Sequence, residues 1–158
     1  MRIREATLKD IPAISELIRP LVEKYIAYEF SPEAARNLLL SMEPEAIREY
    51  FKSGYKYHVA EENGVLAGVV AVRDNVHLYH LFVADAFRSQ GIARRLWQAA
   101  HDACRDAGNA GEYTVNSSRF AVEMYRKFGF VEAGPPITRD GVTAVPMKLI
   151  ENSFPLGE

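Results

Sequence analysis

Leu81-Phe82-Val83-Ala84-Asp85-Ala86-Phe87-Arg88-Ser89-Gln90-Gly91-Ile92-Ala93-Arg94-Arg95-Leu96 is the stretch whose reading decides the fold. It opens as an apolar strand ending at Val83 and closes as the first turn of a helix. That helix pattern spans Gly91–Ala107, with Ile92, Leu96, Ala100, Ala103 and Cys104 on one stripe. Small residues in the turn between them let backbone N–H groups point outward, and the helix N-terminus adds partial positive charge. Arg88, Arg94 and Arg95 supply full charge nearby. Two readings of Arg88–Ala93 stay open on these residues alone: a cradle for phosphate oxygens, or a plain loop with surface arginines. Neither common phosphate motif fits. There is no Gly-x-x-x-x-Gly-Lys-Ser/Thr, and one glycine does not make the three-glycine dinucleotide turn.

Outward from this centre, periodicity predicts the remaining elements. Val76–Val83 is the strand entering the loop. Lys56–Glu61 and Val65–Val72 form an antiparallel hairpin around Glu62-Asn63-Gly64. Arg2–Glu5 is a first strand, and Leu8–Tyr28 is helical, with Thr7 or Asp10 as cap and Pro20 as a kink or break. Pro32–Leu40 and Pro44–Lys52 are short helices with proline in the first turn. Glu112–Asn116 is a strand and Ser118–Phe128 a helix stopped by Gly129. Val131–Ala133 and Thr143–Ile150 are the last strands, joined through Arg139-Asp140-Gly141. This order predicts an α/β fold whose mixed, mostly antiparallel sheet is flanked by helices, not a regular βαβ alternation.

The chain has 158 residues, 48% apolar and 25% charged, which suits one folded domain over 1–158. Nineteen basic against 21 acidic side chains give −2, so no bulk charge calls for nucleic acid or an anionic membrane. The single Cys104 excludes an internal disulfide and a cysteine-cluster metal site, and its stripe position suits a core thiol. The charged start, Met1-Arg2-Ile3-Arg4-Glu5, does not resemble a secretory leader, and the longest apolar run is short for a membrane span. A cytoplasmic location is expected.

The quoted stretch resembles the acyl-CoA signature of the GNAT superfamily of N-acetyltransferases, Gln/Arg-x-x-Gly-x-Gly/Ala after a strand, with Arg88, Gly91 and Ala93 matching in turn. A second stretch, Ser118-Arg119-Phe120-Ala121-Val122-Glu123-Met124-Tyr125-Arg126-Lys127-Phe128-Gly129-Phe130, is similar to the family's Asn-x-x-Ala-x-x-x-Tyr-x-x-x-Gly-Phe segment. Ser118 stands where relatives often carry Asn, and Asn116 lies two residues earlier.

The resemblance implies splayed central strands and an acetyl-CoA donor. The amides of Arg88, Ser89, Gln90, Gly91, Ile92 and Ala93 would bind its pyrophosphate, with Arg94 close by. The backbone of Leu81, Phe82 and Val83 would pair with the pantetheine arm as an added strand. Asn116 and Ser118 would sit beside that arm. Tyr125 matches the tyrosine that protonates the departing thiolate, although its spacing with Ala121, Val122 and Phe128 also suits a core aromatic. His77 lies eleven residues before Arg88, where related enzymes often carry an acid or base. It is the favoured proton acceptor, with Tyr79 as a pocket residue; His80, Glu29, Glu33 or water are the alternatives. Strand alternation puts His77 with Tyr79, Leu81 and Val83, and His80 with Leu78 and Phe82. The two histidines therefore cannot chelate one ion, and no metal is expected.

Trp97 and Arg95 are expected to face outward or toward a partner. Between Ala27 and Asn63 seven glutamates stand against four basic residues. That is either a mild attraction for a cationic amine at the acceptor site, with Glu29 as a contact, or an ordinary solvated surface. The functional reading is acetyl transfer to a small-molecule or protein amine by direct attack in a ternary complex, since no nucleophile paired with a base is visible. The alternative is an acyl-CoA-binding sensor or regulatory module without catalysis. Many relatives dimerise through their C-terminal strands, which adds a homodimer to the expectations.

Overall fold

The computed structural model describes residues 1–151. The β-branched, apolar runs pair as β1 (Arg2–Glu5), β2 (Lys56–Glu62), β3 (Val65–Arg73) and β4 (His77–Val83), antiparallel in chain order. β5 (Glu112–Ser117) joins β4 in parallel, and β8 (Val142–Ile150) returns antiparallel to β5. β6 (Val131–Glu132) and β7 (Ile137–Arg139) both pair with β8, so the sheet runs β1-β2-β3-β4-β5-β8-β6. The mixed, mostly antiparallel sheet is as expected.

Two hairpins follow from local turn chemistry. Asn63-Gly64 and Asp140-Gly141 each hold both residues at positive φ, the conformation a tight two-residue hairpin needs. The second makes β7 and β8 a hairpin, so β7 is a strand that the sequence reading passed over. A Cβ on Gly141 would come 2.9 Å from Ala34 Cβ, so the turn sits directly against the second helix.

The helices cover both faces. α1 (Ile11–Tyr25), α2 (Pro32–Leu40) and α3 (Pro44–Lys52) lie on one side. Ile14, Ile18 and Ile47 pack there with Val59 and Val69. α4 (Ile92–Asp106) lies on the other, where Leu96 and Ala100 pack with Val70, Leu78 and Tyr113. The expected helix Leu8–Tyr28 is three pieces: a 3₁₀ turn at Leu8–Asp10, α1, and a second turn at Ala27–Glu29. The first break is a capping box, in which Thr7 accepts from Lys9 N and Asp10 accepts from Thr7 N at 2.7 Å. Ser118–Phe128 is likewise a 3₁₀ turn followed by α5 (Val122–Lys127). Trp97 is 6% exposed, packed edge-on to Tyr113 and against Phe130, and does not face outward. Cys104 is buried in the same core.

Two irregularities at the sheet centre position the site. Ala71 pairs with His80 and Val72 with Leu78, so Tyr79 is an extra, bulged residue in β4. Leu78 and Leu81 accordingly both face the α4 core, while Tyr79 and Phe82 pack into the α1–α3 core. The simple alternation expected for this strand fails at Tyr79 for that reason. Secondly, β4 and β5 pair only at His77–Thr114 and Leu78–Val115. Beyond those two pairs the strands part.

Candidate functional site

A cavity of about 680 Å³ opens where β4 and β5 separate. Its floor is Leu81, Phe82 and Val83 on one side and Val115, Asn116, Ser117 and Ser118 on the other. Among the described residues, the β5-facing edge of β4 from Tyr79 to Val83 has no strand partner, which leaves main-chain groups free to pair with an extended ligand.

At one end stands the loop before α4. Ser89 (φ 63°) and Gly91 (φ 75°) are both left-handed, and the α4 N-terminus carries no side-chain cap. The first amide donating into α4 is that of Arg95, to Gly91 O at 3.1 Å; among the described residues, those from Ser89 to Arg94 donate to no backbone carbonyl. Consecutive N–H groups of this kind form an anion-binding concavity. Arg94 stands over the Phe128 ring at 4.9 Å and donates to Lys127 O at 3.3 Å, which brings two cations to the rim. These free amides and cations fit the pyrophosphate of an acyl-CoA.

Arg88 is engaged differently. Its Nε donates to Asp85 at 2.8 Å, and its guanidinium lies 4.6 Å from the Tyr25 ring and 5.2 Å from Phe120. Tyr25 stacks on Phe120 at 4.5 Å and donates to Asp85, so α1 and the β5–α5 connection meet over this end of the cleft. Gln90 is absent from the lining, between Ser89 and Gly91, which are present.

Tyr125 on α5 lines the cleft and is 5% exposed, with Phe128 and Phe130 edge-on to its ring. Burial in this apolar setting raises its pKa well above the ordinary phenol value. Asn116 lines the cleft with its side chain uncommitted, whereas Ser118 Oγ accepts from Ala121 N at 3.2 Å as a helix cap.

The histidines divide. His77 is outside the lining, at the last point where β4 and β5 still pair, with Nδ1 2.7 Å from Thr114 Oγ1. Burial first, then Arg73, holds its pKa down to about 4. His80 is in the lining, 3% exposed, with Nδ1 3.3 Å from the Tyr57 hydroxyl; burial holds it at about 3. Tyr79, also in the lining, donates to Tyr50, which donates to Ser41 O at 2.8 Å. The end of α2 is thereby tied to the bulge. Glu29 is outside the lining and lies 3.8 Å from Arg119. His80 lines the cleft and His77 does not because of the bulge at Tyr79, which has no signal in residue type. Leu38, Met42 and Val142, which also line the cleft, come from distant segments.

The family model of the acetyltransferase (GNAT) domain matches residues 26–151. An acetyltransferase of Agrobacterium fabrum is 33% identical over 76 residues, covering 47% of this chain and 56% of that protein. The chain spans about half the length of the curated relatives it matches. A GCN5-related N-acetyltransferase structure from Rhodopseudomonas palustris superposes with TM-score 0.80 at 18% identity, covering 95% of each chain. The PaiA N-acetyltransferase of Thermoplasma acidophilum, solved with coenzyme A, gives 0.77 at 17% identity over 95% of this chain and 98% of its own. These likenesses concern the fold. Taken with the family match over most of its length, they show that this chain belongs to the GNAT acetyltransferase domain family.

Proposed function

We propose that the protein is an acetyl-CoA-dependent N-acetyltransferase acting on a primary amine by direct attack in a ternary complex. The observation that carries this is the continuous path from the unpaired amides at Ser89–Arg94, along the open edge of β4, to the Tyr125 ring. Acetyl-CoA supplies an acetyl thioester when bound. The Ser89–Arg94 amides, with Arg94 and Lys127, would hold its pyrophosphate. Leu81–Val83 would align its arm by main-chain pairing, and a free amide at the bulge is suited to receive the charge that develops on the carbonyl oxygen.

In the transfer a C–N bond forms and the C–S bond breaks. The sulfur takes a proton from Tyr125, and the proton that the attacking nitrogen gives up passes through water back to the Tyr125 phenolate, so that amide and free thiol leave an unchanged phenol. Its raised pKa keeps that phenol protonated, ready to donate. His77 is held by Thr114 away from the cleft, so water, not His77, is assigned the proton that an ammonium sheds before attack.

Amine-dependent thiol release from acetyl-CoA tests the reading. Tyr125→Phe is expected to lower kcat by about 10²-fold or more while CoA affinity stays unchanged, since positioned acids contribute ~10²–10⁴-fold. Unchanged kcat would remove Tyr125 from the chemistry.

A further inference from the structure

Among the described residues, no Asp or Glu lines the cleft. Its charged members, Arg88, Arg94 and Lys127, belong to the phosphate end. On the α1–α3 side the lining includes Ile26 after α1 and Leu38 and Met42 around the α2 terminus, with Phe30 and, on β8, Val142 and Ala144 also in the wall. The only polar relief there is hydroxyl or imidazole: Ser41, Thr143, Tyr79 and His80. The glutamates that give the Ala27–Asn63 region its acidic excess are largely used elsewhere. Glu43 pairs with Arg19, Glu49 with Lys52, Glu61 with Arg4, and Glu62 with the N-terminus.

Such a wall has a chemical consequence. An ammonium group entering it would lose its hydration and meet no countercharge, which is costly; the neutral amine loses far less. A second permanent charge on the acceptor would meet the same penalty. Apolar surface on the acceptor, by contrast, would be stabilised by its removal from water.

We infer that the acceptor, given the acetyltransferase reading above, is a primary amine with an apolar or aromatic body, bound as the neutral amine, and not a polyamine or an α-amino acid. The titratable groups facing this wall are Tyr79 on β4, hydrogen-bonded to Tyr50 of α3, and His80 on β4, backed by Tyr57 of β2. Burial keeps Tyr57 and Tyr79 protonated and the ring of His80 uncharged at neutral pH. Tyr125 of α5 and, at the far rim, Tyr25 of α1 complete the set. None of Tyr79, His80 and Tyr125 offers a negative charge to an ammonium.

The test is kcat/KM against pH for benzylamine and for a less basic fluorinated benzylamine. 1,4-Diaminobutane and an α-amino acid complete the panel. The expected result is an inflection that moves with each amine's own pKa, and a preference for the benzylamines over the diamine of at least about tenfold. Leu38→Glu, at a half-buried cleft position, is expected to shift that preference toward the diamine by about tenfold. An inflection at one fixed pH for both benzylamines would overturn the inference by revealing an enzyme base, as would preference for the diamine in the unaltered protein. Amine-independent thiol release, or none with any amine, would overturn the acetyltransferase reading itself, a result distinguishable from either.

Discussion

Two single residues carry predictions that do not depend on turnover. His80 is buried without a charged partner, and its pKa in the folded chain is held to about 3 against an ordinary 6.5. The unfolded chain therefore binds more protons between those values. The stability that comes from keeping His80 neutral is whole above pH 6.5 and is lost as pH falls toward 3. Urea midpoints should show about 2 kcal/mol lost for this group between pH 7 and pH 5, at ~1.4 kcal/mol per pH step below 6.5. His80→Gln should flatten that slope, and an identical slope in both proteins would contradict the burial argument. Gly91 is left-handed at φ 75°, yet a Cβ there would meet nothing within 4 Å. Gly91→Ala should therefore act through backbone strain of about 1–2 kcal/mol, weakening CoA binding roughly tenfold. Gly91→Asn should fall between, because asparagine tolerates this conformation better. Equal Kd values across the three proteins would show that the loop need not hold its left-handed shape.

At the scale of elements, what matters is how closely α4, β3 and β4 approach. A Cβ on Gly68 of β3 would come 2.8 Å from Leu96 Cδ1 and 2.9 Å from the Phe82 carbonyl oxygen. The side chain can move, but the strand carbonyl cannot without disturbing the edge that would receive the donor. Gly68→Ala should cost about 2 kcal/mol, seen as a Tm lower by about 4–8 °C. An unchanged Tm would mean that the strands are not packed this closely. The same three elements show what the sequence disclosed. The strand, loop and helix around Arg88–Ala93 were legible because apolar periodicity changes at that point and a glycine marks it. β2–β3 was legible from Asn63-Gly64. The bulge at Tyr79 was not, since it depends on register against β3 across the sheet and not on any residue type of its own. β7 was missed because three exposed residues carry no pattern.

For the whole molecule, the near-neutral charge resolves into regions. Basic groups gather in the cleft beside the α4 N-terminus, while the Glu-rich middle of the chain is largely tied up in ion pairs and puts no carboxylate in the described cleft lining. Counting glutamates along the chain could not show this, because their partners, Arg4, Arg19 and Arg119, come from other segments. The loop-and-helix end of the cleft was legible from two local motifs. The wall assembled from α1, α2, β4 and β8 was not, since only the fold brings those elements together. Among the described residues no helix is long and apolar enough to cross a membrane. On the function proposed above, an acetyl group passes directly from CoA to an amine in this cleft. Mass spectrometry of products from isotopically labelled acetyl-CoA, the protein and a benzylamine tests it most directly. The predicted result is labelled acetyl on the amine, equal in amount to the free thiol released, with no labelled protein intermediate. CoA bound tightly with the label remaining on CoA for every amine offered would contradict it and would mark the chain as a CoA-binding module without catalysis.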